Sequence, residues 1–145
     1  MSLVNASHTP PTMGPPDMTV LDACAAMAAA HVASIGLVDE AGRLVGLFQE
    51  QDLALRVVPA RLDPATTLVR DVMTAPPRVI APDREFAEAL AMMMEHHLRH
   101  LPIIDEGGHL LGVLSLRSMM QWKIEDLDNE IREVTNYLGA DGIGG

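Results

Sequence analysis

Shifted by 66 positions without a gap, this chain lies over itself: Pro10 to Leu53 aligns with Pro76 to Met119. Pro10, Pro11, Pro16 and Asp17 fall on Pro76, Pro77, Pro82 and Asp83. Ala23, Ala25, Met27 and His31 fall on Ala89, Ala91, Met93 and His97. Asp39, Glu40, Gly42, Leu44 and Gly46 fall on Asp105, Glu106, Gly108, Leu110 and Gly112. A solenoid needs at least three stacked units, and only two copies are present. Two copies bury their apolar faces against each other, so any cleft between them is built from equivalent residues of both. The 145 residues are 48% apolar but only 3% aromatic, enough for one aliphatic core. Each half, at roughly 55 residues, is marginal alone, so the two are expected to fold as a unit.

Within each copy the local signals repeat. Residues 1 to 9 read as a polar lead-in, and the prolines from Pro10 to Pro16 exclude helix there. Asp17 and Asp83 stand where helix N-caps are expected. Behind them run apolar stripes at helical spacing: Val20, Cys24 and Met27, then Phe86, Leu90, Met93 and Met94. Two apolar runs follow each helix around an Asp/Gly turn, Ile35–Val38 with Leu44–Phe48 and Leu101–Ile104 with Leu110–Leu114. That pattern is a hairpin. Short helices then start near Glu50, ending about Val57, and near Leu116. The expected class is α+β, a mixed fold in which each copy runs strand, helix, strand, strand, helix.

Between the copies, Pro59 to Pro64 reads as a linker, and Thr66 or Thr67 is a candidate cap for a short helix through Val72. Beyond them Ile124, Leu127, Ile131, Val134 and Leu138 are spaced 3, 4, 3, 4, a heptad seam little more than two repeats long. Such a seam either packs on its own domain or pairs with a second helix across a dimer. Gly139 is a natural helix stop, and the tail through Gly145 reads as loose.

Charge and motif content narrow the function. Twenty acidic side chains against ten basic ones argue against double-stranded nucleic acid, whose binding depends on neutralising phosphates. Cys24, the one cysteine, excludes an internal disulfide and falls on a core stripe, a poor setting for a nucleophile. Val20 to Leu37 is broken by Asp22 and His31, so it is not read as a membrane span. No basic-then-apolar leader opens the chain, and a cytoplasmic location is expected. Glu95, His96, His97 and His100 form the densest cluster of metal-ligand types, His96 and His100 sharing a face if helix continues that far. Helix-end histidines, favoured by the dipole, account for the same residues without a metal. The methionines Met27, Met92, Met93, Met94, Met119 and Met120 read mainly as packing. Neither a phosphate loop followed by Lys nor a Gly-x-Ser-x-Gly elbow occurs, and no enzyme is read here.

The strongest local match is Arg99-His100-Leu101-Pro102-Ile103-Ile104-Asp105 followed by Gly108-His109-Leu110-Leu111-Gly112-Val113-Leu114-Ser115, with Asp71-Val72-Met73-Thr74 upstream. Copy one matches through Gly36-Leu37-Val38-Asp39-Glu40 and Gly42-Arg43-Leu44-Val45-Gly46-Leu47-Phe48, ending at Asp52-Leu53. Over about Pro10 to Lys123 the chain resembles a tandem pair of CBS domains, the module first described in cystathionine β-synthase. The resemblance implies two βαββα units related by a pseudo-twofold axis and packed through their sheets, plus a C-terminal helix. Repeat one would span residues 10–62, repeat two 71–126, and the helix and Gly-rich tail 127–145. It further implies a homodimer, a regulated partner protein of unknown identity, and a regulatory ligand in the inter-repeat clefts. AMP, ADP, ATP and S-adenosylmethionine are the candidates, with no nucleic acid and no membrane involved.

The family's nucleotide motif is Gly, two residues, Ser or Thr, two residues, Asp. The carboxylate accepts from both ribose hydroxyls, a charge-assisted contact worth roughly 1.5–3 kcal/mol. The hydroxyl lies at a helix start, where free amides favour phosphate. Copy one, from Gly46 to Asp52, keeps the carboxylate but has Gln49 for the hydroxyl. Copy two, from Gly112 to Ser118, keeps the hydroxyl at Ser115 but has Ser118 for the carboxylate. Candidate ligand residues are therefore Gln49, Asp52, Ser115 and Ser118, with Arg99, His100, Pro102 and Arg117 close by in sequence. A structural reading stands beside this one: Ser115 as an N-cap, Asp52 as a first-turn acid, and the cations as a solvated face. On that reading the repeats only build an interaction module.

Overall fold

The computed structural model describes residues 2–140. In the first half, α1 (Val20–Ala30) buries Val20, Ala23 and Met27 against the antiparallel pair β2 (Ser34–Val38) and β3 (Leu44–Gln49). The two-residue β1 (Met13–Gly14) adds to β2 in parallel. A single turn, α2 (Glu50–Asp52), runs on into a π-helical turn at Leu53–Val57. The second half repeats this with α3 (Phe86–Glu95), β4 (His100–Ile104) and β5 (Leu110–Ser115). Ile80, 66 positions after Gly14, makes one parallel bridge to Ile103 where β1 pairs with β2. Both hairpins slip register at the same place, Leu37/Val38 and Ile103/Ile104, and both turns carry a glycine at positive φ, Gly42 and Gly108.

The expected stripes hold at Val20, Met27 and Met93 and differ at one position in α1 and two in α3. Ala23 and Ala89 sit fully buried on the helix faces, whereas Cys24 and Leu90 pack at the core's edge and Met94 is exposed. A small residue there lets each helix approach its sheet closely. The helix starts also differ. Thr19, held extended by its bridge to Leu68, caps α1 through its Oγ1, which accepts from the amide of Asp22, so Asp17 lies two residues too early. Glu85, not Asp83, precedes α3, with no side-chain cap. His31 and His97 lie just past the helices at φ 54°, in the left-handed conformation that ends a helix, not within the last turn.

The lead-in is not a tail. Leu3–Ala6 form a 3-10 turn whose Leu3 and Ala6 are buried in the core of the second half, and His8 pairs with Val113. Its counterpart 66 residues on, the 3-10 turn Val69–Asp71, buries Val69 and Val72 in the core of the first half, and Thr74 pairs with Leu47. Neither Thr66 nor Thr67 caps that turn; Leu68 opens it in extended conformation. Each half is thus closed by the segment leading into the other. The hairpin turns also meet, Leu44 N donating to Gly108 O at 2.9 Å.

The last element, α4 (Leu116–Ala140), is one 25-residue helix that passes through Gly139. A single glycine costs about 1 kcal/mol relative to alanine, too little to end it there. The tail reading through Gly145 falls outside the described residues. Trp122 stacks on Phe86 with ring centroids 5.4 Å apart, and from there the helix leaves the second half. Ile124, Leu127, Ile131, Val134 and Leu138 are 44–64% exposed, so the seam does not pack on its own domain. No helix of the described residues is long and apolar enough to cross a membrane.

Candidate functional site

The duplication brings the start of β2, the start of β4 and the N-terminus of α4 together between the halves, around a cavity of about 700 Å3. The first half supplies His31 to Ser34 and Glu50, the second Arg99, His100 and Ser115 to Ser118; His8 and Thr12 come from the leading segment. Two arginines face this space, and Glu50 is the one carboxylate among its lining residues. In a chain with twice as many acids as bases, that reverses the prevailing sign.

The N-terminus of α4 is capped by its own serines. Ser118 N donates to Ser115 Oγ at 3.0 Å, Ser115 N donates to Ser118 Oγ at 2.9 Å, and the Ser118 hydroxyl donates to Ser115 O at 3.1 Å. The amides of Leu116 and Arg117 keep no intrahelical partner, as first-turn amides do, and lie at the positive end of a long helix dipole.

The symmetry-equivalent cleft differs at one pair of residues. Ser34 and Ser115 line the open cleft. Their counterparts 66 positions away are His100 and Gln49. These larger side chains meet across the halves, His100 Nδ1 lying 2.8 Å from Gln49 Oε1, and Gln49 is only 8% exposed. Asp52 lies beneath them at 4% exposure, its Oδ2 accepting from Gln49 N at 2.8 Å and its Oδ1 3.5 Å from Arg56 Nε. Burial pushes the Asp52 carboxyl up, against the opposing pull of the Gln49 amide and Arg56. Of the sequence candidates, then, Ser115, Ser118, Arg99, His100 and Arg117 line the open cleft, and Gln49, Asp52 and Pro102 do not. Pro102 is buried within β4, its carbonyl accepting from Ile80 N.

His8, Thr12, Ser34, Glu50 and Gln121 line the cleft without having been singled out. Ser34 was reachable, because it is the repeat partner of His100; Glu50 carried no signal. His96 ends α3 and His100 begins a strand, so the two do not share a helix face; His96 Nε2 instead lies 3.4 Å from Arg78 Nη1. Among the described residues no three His, Cys, Asp or Glu side chains are grouped to hold a metal.

His100 also carries a pH prediction. Burial holds its pKa below the ordinary 6.5, with Glu50 pulling it up and Arg99 pushing it down. The unfolded chain takes up this proton near pH 6.5, the folded chain only at lower pH. Stability is therefore present above about pH 6.5 and is lost as pH falls toward the folded value. Thermal unfolding between pH 7.5 and 5 should show this fall, and His100→Gln should flatten it.

With the cleft in place, the chain can be compared with known proteins. The CBS domain family model matches residues 5–58 and 69–125. An uncharacterized protein of Methanopyrus kandleri is 30% identical over 128 residues, 86% of this chain and 65% of that protein. The chain spans only 18–22% of two longer CBS domain-containing proteins of Arabidopsis thaliana. A CBS-domain structure from Burkholderia ambifaria, assigned to signal transduction, superposes with a TM-score of 0.76 at 28% identity, covering 87% of this chain and 96% of that one. A CBS domain protein of Pyrobaculum aerophilum, solved with AMP, has a TM-score of 0.74 at 25% identity, covering 81% and 89%. Two family matches, one on each half and together spanning most of the chain, leave a single conclusion: this chain is a member of the CBS domain family, carrying a tandem pair of its repeats.

Proposed function

We propose that the pair is a regulatory module of the cytoplasm, without catalysis of its own. On this reading it binds an adenosine-bearing anion (AMP, ADP, ATP or S-adenosylmethionine) in the open cleft and, as a homodimer, signals to a partner protein. The observation that carries the proposal is the cleft's composition: two arginines and a capped helix N-terminus converge on a cavity bounded by Ser34 and Ser115. Charge-assisted contacts from guanidinium groups and free amides suit phosphate. Occupancy would favour one spacing of the two halves, which is how binding becomes a signal.

Titration calorimetry with the four ligands tests this, with heat expected at one site per chain. Ser34→His with Ser115→Gln rebuilds the pair that meets across the other cleft and should abolish binding. Asp52→Asn, buried away from the open cleft, should leave affinity within about twofold. Silence from all four ligands at millimolar concentration overturns the sensing reading. The Gln49–His100 contact between the halves would then favour a module that only builds interfaces.

A further inference from the structure

We infer that the free face of α4 is a dimer seam: it pairs in parallel, in register, with α4 of a second copy of this chain. The seam is longer than five residues. Met120 is exposed one step before Ile124, giving six apolar positions, 120, 124, 127, 131, 134 and 138, spaced 4, 3, 4, 3, 4. With Ile124, Ile131 and Leu138 at position a and Met120, Leu127 and Val134 at d, the β-branched residues fall mostly at a. That preference selects two parallel strands. The seam is under three heptads, short for helices that must form and pair together. Here the first turns of α4 are already seated on the second half, Met119 in its core and Trp122 on Phe86, so the helix is organised before pairing.

Charge chooses the direction. In parallel alignment, Lys123 at g faces Asp128 of the second copy at e, twice by symmetry, and Glu130 faces the neutral Thr135. Antiparallel pairing that keeps all six layers sets Asp128 against Asp128 and Glu130 against Glu130 at its centre. Sliding by one heptad relieves that clash only by uncovering two apolar positions of each helix, Val134 and Leu138 in one direction or Met120 and Ile124 in the other. A second copy in parallel is the occupant that satisfies both the apolar and the charged positions.

Sedimentation equilibrium of the full chain should give a dimer at micromolar concentration. Ile131→Asp should give a monomer whose thermal transition, measured on dilute protein, still reports folded halves. A dimer that persists in Ile131→Asp, or a monomeric parent chain, overturns the seam. Orientation is read separately in a Cys24→Ser background, where Val134→Cys should oxidise to a covalent dimer. Parallel pairing sets residue 134 against itself, and antiparallel pairing sets it against residue 124. Absence of the covalent dimer overturns the parallel alignment. Neither measurement involves a nucleotide, so failure here is distinct from failure of the ligand proposal.

Discussion

Ser118→Asp should tighten binding of adenine ribonucleotides by about ten- to a hundredfold. The open cleft has the space, the guanidinium groups and the helix N-terminus, but Ser118 stands where the family motif puts its ribose carboxylate. Supplying that carboxylate adds a charge-assisted contact of roughly 1.5–3 kcal/mol, and each 1.4 kcal/mol is tenfold. The backbone already accommodates the change. In the other half Asp52 occupies the same position and accepts from the amide three residues before it at 2.8 Å, as Ser118 Oγ accepts from Ser115 N at 2.9 Å. One aspartate oxygen can therefore replace the cap while the other faces the cleft. Calorimetry on the parent chain, Ser118→Asp and Ser118→Asn separates charge from shape. The gain should be absent for Asn, and absent for nucleotides lacking both ribose hydroxyls. Equal affinities for parent and Ser118→Asp would show that the missing carboxylate is not what limits the cleft.

The fold was legible in the sequence because repetition compounds weak signals. One Asp/Gly turn between apolar runs is an ambiguous hairpin, whereas two at one offset are a shared architecture. The asymmetry of the site was legible only in part. The motif positions showed that Gln49 and Ser118 depart from the pattern, but not that Gln49 is bonded across the halves. That depends on His100 reaching Gln49 from the other half, a contact across 51 residues of chain. The helix starts were not legible for a related reason, since Thr19 at the start of α1 pairs with the distant Leu68. The fate of the seam was open because periodicity gives a helix's apolar face without naming what covers it.

The lead-in shows the same limit most clearly, and it yields the largest stability effect expected. Leu3→Ala should destabilise the chain by about 2–5 kcal/mol, the usual cost of deleting a large aliphatic side chain from a core. In a domain of this size that lowers the melting midpoint by roughly 5–15 °C. The matching residues of the two copies begin at Pro10, and Leu3 to Thr9 share no identical residue with Val69 to Ala75. Yet Leu3 and Ala6 occupy one core as Val69 and Val72 occupy the other. The repeated glycines record the same arrangement. A Cβ at Gly112 would fall on Ser7 Oγ, and one at Gly46 on Met73 Sδ, so each glycine clears the path of the segment crossing from the other half. Asn5→Ala, exposed on the same turn, should change stability by less than about 0.5 kcal/mol. Thermal unfolding of the two variants decides the matter. A Leu3→Ala midpoint within a degree or two of the parent would return residues 2–8 to the status of a tail, whereas the contrast between the two variants marks them as part of the second half's core.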